Sequence, residues 1–337
     1  MPQFSPRRVV RAFCAASAML LLGSGAPLKA QDQFPNRPVH LITQFGSGGA
    51  TDLAARAIAE AMGPGLGVTV IVEGRPGAGG QIAVNTVRNA PPDGYNMLFG
   101  GQTSLVNLPI IDPASAGNPL ADFKIVTFGT DYDLILVTGA GSGIKSVKEL
   151  VERLRSRRAE STFGALGLGV PVEMSSLYFL QKAGVEATAV PYKGPVDAYP
   201  DLIEGRLTFQ SDTVTGPIGL IREKRLIPLA VFSKTRTSQI PDLPTFAEAG
   251  FPEVLDVNWR SWNAVLVRSQ TPQAIIDKLN EAARKGMAGA KFKERIDQLG
   301  HGVVGLYTAR EAQANLDALV TQWKSVILKM GIKPPTR

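Results

Sequence analysis

Apolar residues in this chain come either in short runs or at helical spacing. Residues 39–43 form an apolar run that predicts a buried strand. A loop of small residues follows, Gly46-Ser47-Gly48-Gly49. Residues 52–62 then place Leu53, Ala57, Ile58 and Ala61 on one helical face, with Thr51 or Asp52 as the N-cap. Gly63-Pro64-Gly65-Leu66-Gly67 is expected to break this helix. The β-branched run 68–72 predicts a second strand, and residues 73–80 a second glycine-rich loop. A short helix over 81–90, a turn at Pro91-Pro92-Asp93-Gly94 and a third strand over 95–99 complete a β-α-β-α-β series. Short connections of this kind predict a parallel sheet with right-handed crossovers and loops gathered at the carboxyl ends of the strands.

Residues 100–104 are expected as a third loop at that edge. Further strands are expected over 125–128 and 134–137, a helix over 147–156, and a strand over 161–166 running into Gly167-Leu168-Gly169. A helix over 172–183, a strand over 187–190, a helix over 195–204 and a strand over 207–210 ending at Ser211-Asp212-Thr213 repeat the strand–loop–helix pattern. Residues 134–215 therefore read as a second α/β unit. After a strand over 227–232, residues 239–252 are loop-like, and Trp259, Trp262 and residues 265–267 are assigned to one strand. Pro272 opens a helix to about residue 288. Helices near 291–299 and 309–330 close the chain, the last carrying a core stripe of Ala312, Leu316, Leu319, Val320, Trp323 and Ile327.

At 337 residues the chain is long enough for two domains. Its start is not fold. Arg7, Arg8 and Arg11 precede an apolar stretch over 12–22, and Leu28-Lys29-Ala30 suits cleavage, so residues 1–30 are expected to be a cleaved secretory signal. The one cysteine, Cys14, leaves with it, which excludes thiol chemistry from the remainder. Those thirty residues also carry four basic side chains and no acid, so the charge of +7 falls by four to +3 over residues 31–337. Nucleic-acid binding thereby loses its main support. Only His40 and His301 could offer imidazole, so no metal site is expected. No G-x-S-x-G elbow occurs.

What remains is a set of donor-rich loops. A strand, a glycine loop and a helix start form a natural anion cradle, because free N–H groups and the helix dipole point at the loop. The same residues also read as a tight turn that binds nothing. The loop lacks a P-loop lysine and the third glycine of GxGxxG. Candidate ligand-binding residues are Phe45, Ser47, Gly48, Gly49 and Asp52 in this first loop. Thr103 and Ser104 follow the third strand. Gly164, Ala165, Gly167, Gly169, Tyr192, Lys193 and Asp212 come from the second unit. Turn chemistry for Thr103 and Ser104, a solvated side chain for Lys193, and capping or loop bracing for Asp52 and Asp212 are the plainer readings. Glu73 at the end of the second strand, where a ribose-binding acid would sit, keeps a dinucleotide-dependent enzyme in view.

The motifs PNRPVHLI at 35–42, FGSGGATD at 45–52, VEGRPGAGG at 72–80, APPDGY at 90–95, VPYKG at 190–194, DLIEG at 201–205, LPTFAEAGFP at 243–252 and SWNAVLV with TP at 261–272 occur in this order. With them the chain resembles the periplasmic solute-binding receptors of tripartite tricarboxylate transporters, the Bug proteins. The resemblance covers nearly all of residues 33–334. It implies an α/β, two-lobed, periplasmic-binding-protein fold of type II-like form, with a ligand cleft between the lobes. Lobe 1 would comprise 32–132 plus 258–337, and lobe 2 would comprise 133–257. It further implies a periplasmic monomer that needs no cofactor, catalyses nothing, binds a small carboxylate and delivers it to integral-membrane transporter subunits. A receptor serving a sensor kinase would use the same cleft. By the resemblance, residues 45–52 grip a carboxylate, often with bridging waters, and the opposite lobe adds 164–169, the YKG turn and Asp212. Three positions depart from the family pattern: Gln44 stands for Pro, Glu173 for a common His, and Ser211-Asp212-Thr213 for Phe-Asp-Asn. Glu173 reads either as a pocket acid that repels a second carboxylate or as an exposed first-turn acid.

Overall fold

The computed structural model describes residues 34–44, 46, 50–167 and 169–332. The expected signal peptide, and with it Phe45, Ser47, Gly48 and Gly49, lies outside the described residues. From Arg37 onward the chain forms one compact unit. Among the described residues no helix is long and apolar enough to cross a membrane.

The first series forms as its pattern predicts. Strand β1 (Val39–Thr43) pairs in parallel with β2 (Val70–Gly74) on one side and β3 (Asn96–Gly101) on the other. Helix α1 (Ala50–Leu66) and helix α2 (Gln81–Arg88) make the crossovers. Helix α1 does not stop at Gly63. It runs through Pro64, and the Gly67 N–H closes it on the Gly63 carbonyl at 2.9 Å. Close packing explains the override: a Cβ on Gly65 would stand 3.0 Å from Ala282 of the facing helix. Tertiary contact outweighs the local breaker signal here.

The sheet is completed by three more strands, β4 (Phe123–Tyr132), β10 (Ser261–Arg268) and β11 (His301–Val303), in the order β11-β4-β10-β3-β1-β2. Strand β10 runs antiparallel to both β3 and β4. His301 therefore lies in a strand. Trp259 lies outside β10, fully buried, with its indole N–H on the Val254 carbonyl at 2.9 Å.

At Asp133 the chain leaves this sheet and continues as β5 (Leu134–Gly139) in a second layer system. There β5 is central to the sheet β8-β5-β9, with β8 (Gln210–Thr213) and β9 (Leu226–Val231) both antiparallel to it. This corrects the reading of residues 134–215 as a simple repeat of the first series. In this lobe β6 (Thr162–Ala165) and β7 (Thr188–Pro191) pair in parallel. Helices α3 (Val147–Ser156) and α4 (Pro171–Ala183) cover this lobe. Helix α5 (Gln273–Met287) packs on α1, and α6 (Ala309–Lys329) buries Ala312, Leu316, Trp323 and Ile327, with Leu319 and Val320 partly covered. Two segments join the lobes, and Arg260 ties them. Its Nη2 lies 3.0 Å from Asp131 Oδ1 and its Nε 3.3 Å from Asp133 Oδ1. Burial holds both acids above the usual carboxylate range, and the Arg260 charge opposes that shift.

Candidate functional site

Open α/β sheets bind their ligands at the carboxyl ends of the strands, which here are the ends of β1 and β3. On the first lobe, Gln44 is the hub. The Ser104 hydroxyl donates to Gln44 Oε1 and also lies 3.2 Å from the Gly101 carbonyl. Gly80, which opens α2, would put a Cβ 2.7 Å from the same Oε1. This amide thus ties the end of β1 to the turn after β3 through a hydrogen bond that a proline at this position could not make, and it packs against the start of α2. Thr103 and Ser104 sit in a wide, π-type helical turn (Thr103–Asn107), not in a loop. Asp52 is buried in the first turn of α1. It accepts from Arg56 Nε at 2.9 Å and from Nη2 at 3.3 Å. Its charge complements the helix N-terminus.

On the second lobe, Gly164 and Ala165 end β6, and Gly167 and Gly169 turn the chain with φ of 106° and 94°. Glu173 governs this turn. It is buried, and its Oε2 accepts from the Leu166 N–H at 2.8 Å and the Gly167 N–H at 2.6 Å. It is therefore not the exposed first-turn acid of the plainer reading. The N–H of Gly167, a candidate ligand-binding residue, is thus engaged by Glu173. The two lobes meet where Asn107 Nδ2 donates to the Gly169 carbonyl at 2.7 Å. A cavity of about 370 Å³ beside that contact brings Thr103 from one lobe against Leu166, Gly167 and Val170 from the other.

Asp212 lies within β8, not beyond it, opposite Ile135. It is fully buried and accepts from Tyr199 Oη at 2.7 Å, the Thr213 N–H at 2.6 Å and Gln210 Nε2 at 3.4 Å. Burial pushes its carboxyl up to about 6, against the pull of these donors. Burial and the neighbouring acid push Tyr199 far above the usual phenol range. Tyr192 and Lys193 are not drawn into the cluster. The Tyr192 hydroxyl donates to Asp201, and burial and that acid push it up to about 12. Lys193 is exposed.

The Asp212 shift has a readable consequence. An acid with a raised folded pKa binds a proton in the folded state that the unfolded chain has lost. Its contribution therefore falls as pH rises from 3.8 to about 6. His301, whose pKa burial lowers to about 4, contributes with the opposite sign up to 6.5. Asp212→Asn should thus gain stability over the parent protein by about 1.4 kcal/mol per pH unit between about pH 4 and pH 6. Urea unfolding at several pH values reads this difference, and a pH-independent difference would contradict the burial of an ionisable Asp212.

Sequence reasoning passed over Asn107 and the bracing role of Glu173. The usable signal was a polar residue amid the apolar run Leu105-Val106 and Leu108, which only a partner from another element can satisfy. Among the described residues no group of three or more His, Cys, Asp or Glu side chains could hold a metal ion.

Residues 54–332 match the family described as the tripartite tricarboxylate transporter family receptor. A Pseudomonas sp. (strain P51) protein encoded in the tcbD–tcbE intergenic region is 32% identical, covering 95% of this chain and 94% of its own length. Protein BugT of Bordetella pertussis is 29% identical, covering 92% of this chain and 94% of its own. Among solved structures, the periplasmic binding protein BugD superposes with a TM-score of 0.79 at 29% identity over 90% of this chain and 100% of its own. An R. palustris protein solved with adipate does so with a TM-score of 0.81 at 29% identity, over 90% of this chain and 100% of its own. MatC from Rhodopseudomonas palustris with bound malate gives 0.77 at 26% identity, over 87% of this chain and 100% of its own. The matched family is described as a receptor family, and one of these structures is a periplasmic binding protein. The fold, the ordered motifs and these matches together place the chain in the tripartite tricarboxylate transporter receptor family, with the Bug proteins among its relatives.

Proposed function

We propose that this protein is a periplasmic receptor that captures a small carboxylate in the interlobe cleft and delivers it to membrane transporter subunits. The observation that carries the reading is the Asn107–Gly169 contact, at 2.7 Å, between two donor-rich rims. Two matched proteins of this fold were solved with adipate and with malate. The N-terminus of α1 offers a favourable dipole for the ligand carboxylate. Closure removes water and strengthens each donor–carboxylate bond. Catalysis has no part in this cycle, and one chain holds one ligand.

Delivery is tested by uptake of a labelled dicarboxylate into cells that lack this receptor but keep the membrane subunits. Re-expression of the full chain should restore uptake, and unrestored uptake would overturn the transport role. Asn107→Ala removes the bond that joins the rims. It should weaken ligand binding roughly tenfold, the worth of about one buried hydrogen bond. Titration calorimetry checks this, and unchanged affinity would contradict a closing role for Asn107.

A further inference from the structure

The second glycine-rich loop forms one wall of the cavity of about 370 Å³ between the lobes. Four successive residues there, Gly77, Ala78, Gly79 and Gly80, have left-handed backbone, with φ of 123°, 48°, 61° and 93°. Ala78 is the strained one, since a residue with a Cβ seldom takes positive φ, and such strain persists only where the surroundings enforce it. Ala78 and Gly79 both line the cavity. Leu108 packs beside them, between the two lobes. A Cβ on Gly79 would stand 2.6 Å from Leu108 Cδ1, and one on Gly169 of the second lobe 3.2 Å from Leu108 Cδ2. The two glycines thus leave room for one leucine, and that leucine lines the cavity.

The lining is mostly apolar: Ala78, Leu108 and Ala116 come from the first lobe, and Leu166 and Val170 from the second. Its polar side chains are Gln81, Thr103 and Asp112. Among the described residues no lysine, arginine or histidine lines it, and Asp112 is its one charged side chain. The cavity adjoins the end of β1. Gly80 and Ser104 both meet the Gln44 side chain, and their chain neighbours Gln81 and Thr103 line the cavity. A ligand whose carboxylate is held at the start of α1 would extend its remainder here. Each methylene group buried from water in such a place raises affinity about fourfold. A second carboxylate would meet an acid and no base, and would lose its hydration without a paired cation.

We propose that this cavity is an apolar arm of the ligand site, so that the receptor prefers an aliphatic monocarboxylate with a tail of several carbons. This inference rests on the carboxylate-receptor reading given above. Leu108, Leu166 and Val170 read the tail. The lack of a base removes any advantage for a second acid group. Adipate carries the tail and still binds, at a loss for its distal carboxylate.

The test is titration calorimetry of the purified protein with acetate, butanoate, hexanoate, adipate and succinate. Hexanoate is expected to bind about tenfold more tightly than butanoate, with acetate weaker again and adipate between hexanoate and succinate. Val170→Phe fills part of the arm at a partly buried position and should bring hexanoate to within about threefold of butanoate. Leu166→Lys supplies a cation at another partly buried position and should make adipate bind more tightly than hexanoate. Thermal unfolding of the ligand-free variants separates a lost arm from a lost fold, and the gain expected for adipate is one that a misfolded variant cannot imitate. A parent protein that binds acetate or succinate as tightly as hexanoate, or that binds other carboxylates but not hexanoate, overturns the arm while leaving the receptor intact. So does a pair of folded variants that keep the parent's order of affinities. A parent protein that binds none of these acids or any other carboxylate overturns the receptor reading, and the arm with it.

Discussion

Replacing Glu173 with alanine is expected to lower the stability of this protein by about 3 kcal/mol and to loosen the second-lobe rim. One carboxylate oxygen accepts from both the Leu166 and the Gly167 N–H groups, at 2.8 and 2.6 Å. The side chain is buried, so neither donor can turn to water without reorganising the turn. Hydrogen bonds to a charged acceptor are each worth roughly 1.5–3 kcal/mol, and orphaned buried donors add to the loss. The effect should also reach the cleft. The Gly169 carbonyl that accepts from Asn107 lies two residues beyond Gly167, in the same turn. Amide hydrogen exchange should therefore accelerate at Leu166 and Gly167 in the variant, and ligand affinity should fall with it. Glu173→Gln keeps an acceptor oxygen and should retain about half of the stability difference. Equal urea midpoints for Glu173→Ala and the parent would show that the carboxylate does not hold the turn.

Gly139→Ala is the second substitution with a large expected effect. Gly139 ends β5 opposite Leu226, at the centre of the three-stranded sheet. A Cβ there would lie 1.8 Å from the Leu202 carbonyl oxygen and 2.7 Å from its carbon. Both atoms belong to the backbone of a helical segment (Tyr199–Ile203), so no rotamer change can relieve the clash. The expected loss is about 3 kcal/mol, at the upper end for overpacking. Gly219→Ala provides the contrast. It lies in a helical turn (Ile218–Arg222) with nothing within 4 Å of a new Cβ. It should gain up to about 1 kcal/mol through helix propensity. Denaturant unfolding of the pair separates contact with a fixed backbone from a general intolerance of glycine replacement.

The first β-α-β-α-β series was legible because each of its elements carries a local signal. The run 39–43, the stripe through Leu53, Ala57, Ile58 and Ala61, and the β-branched residues after Gly67 needed no partner to be recognised. The end of α1 was misread because Gly65 is there to let a neighbouring helix approach, a reason that lies in Ala282 and not in the local sequence. The antiparallel sheet around β5 was hidden because strand direction is set by pairing partners about 75 to 95 residues away. At the site, Ser104 and Asp52 were visible as polar residues beside loops and helix starts. Tyr192 looked like a ligand donor because nothing local reveals that its hydroxyl reaches Asp201. Glu173 could be placed on α4 by position, but its acceptor role depends on a turn that folds back over it. The buried amide of Asn107 carried no composition signal at all, since its meaning is the partner it finds on the other lobe.

Direct titration of the purified protein with malate, adipate and succinate tests the central claim most simply. The receptor reading predicts saturable one-to-one binding of at least one of them at micromolar or lower Kd, about −8 kcal/mol or better. The same acid should raise the unfolding temperature in proportion to its affinity. Absence of binding by every acid at millimolar concentration, in a protein that unfolds cooperatively, would contradict it.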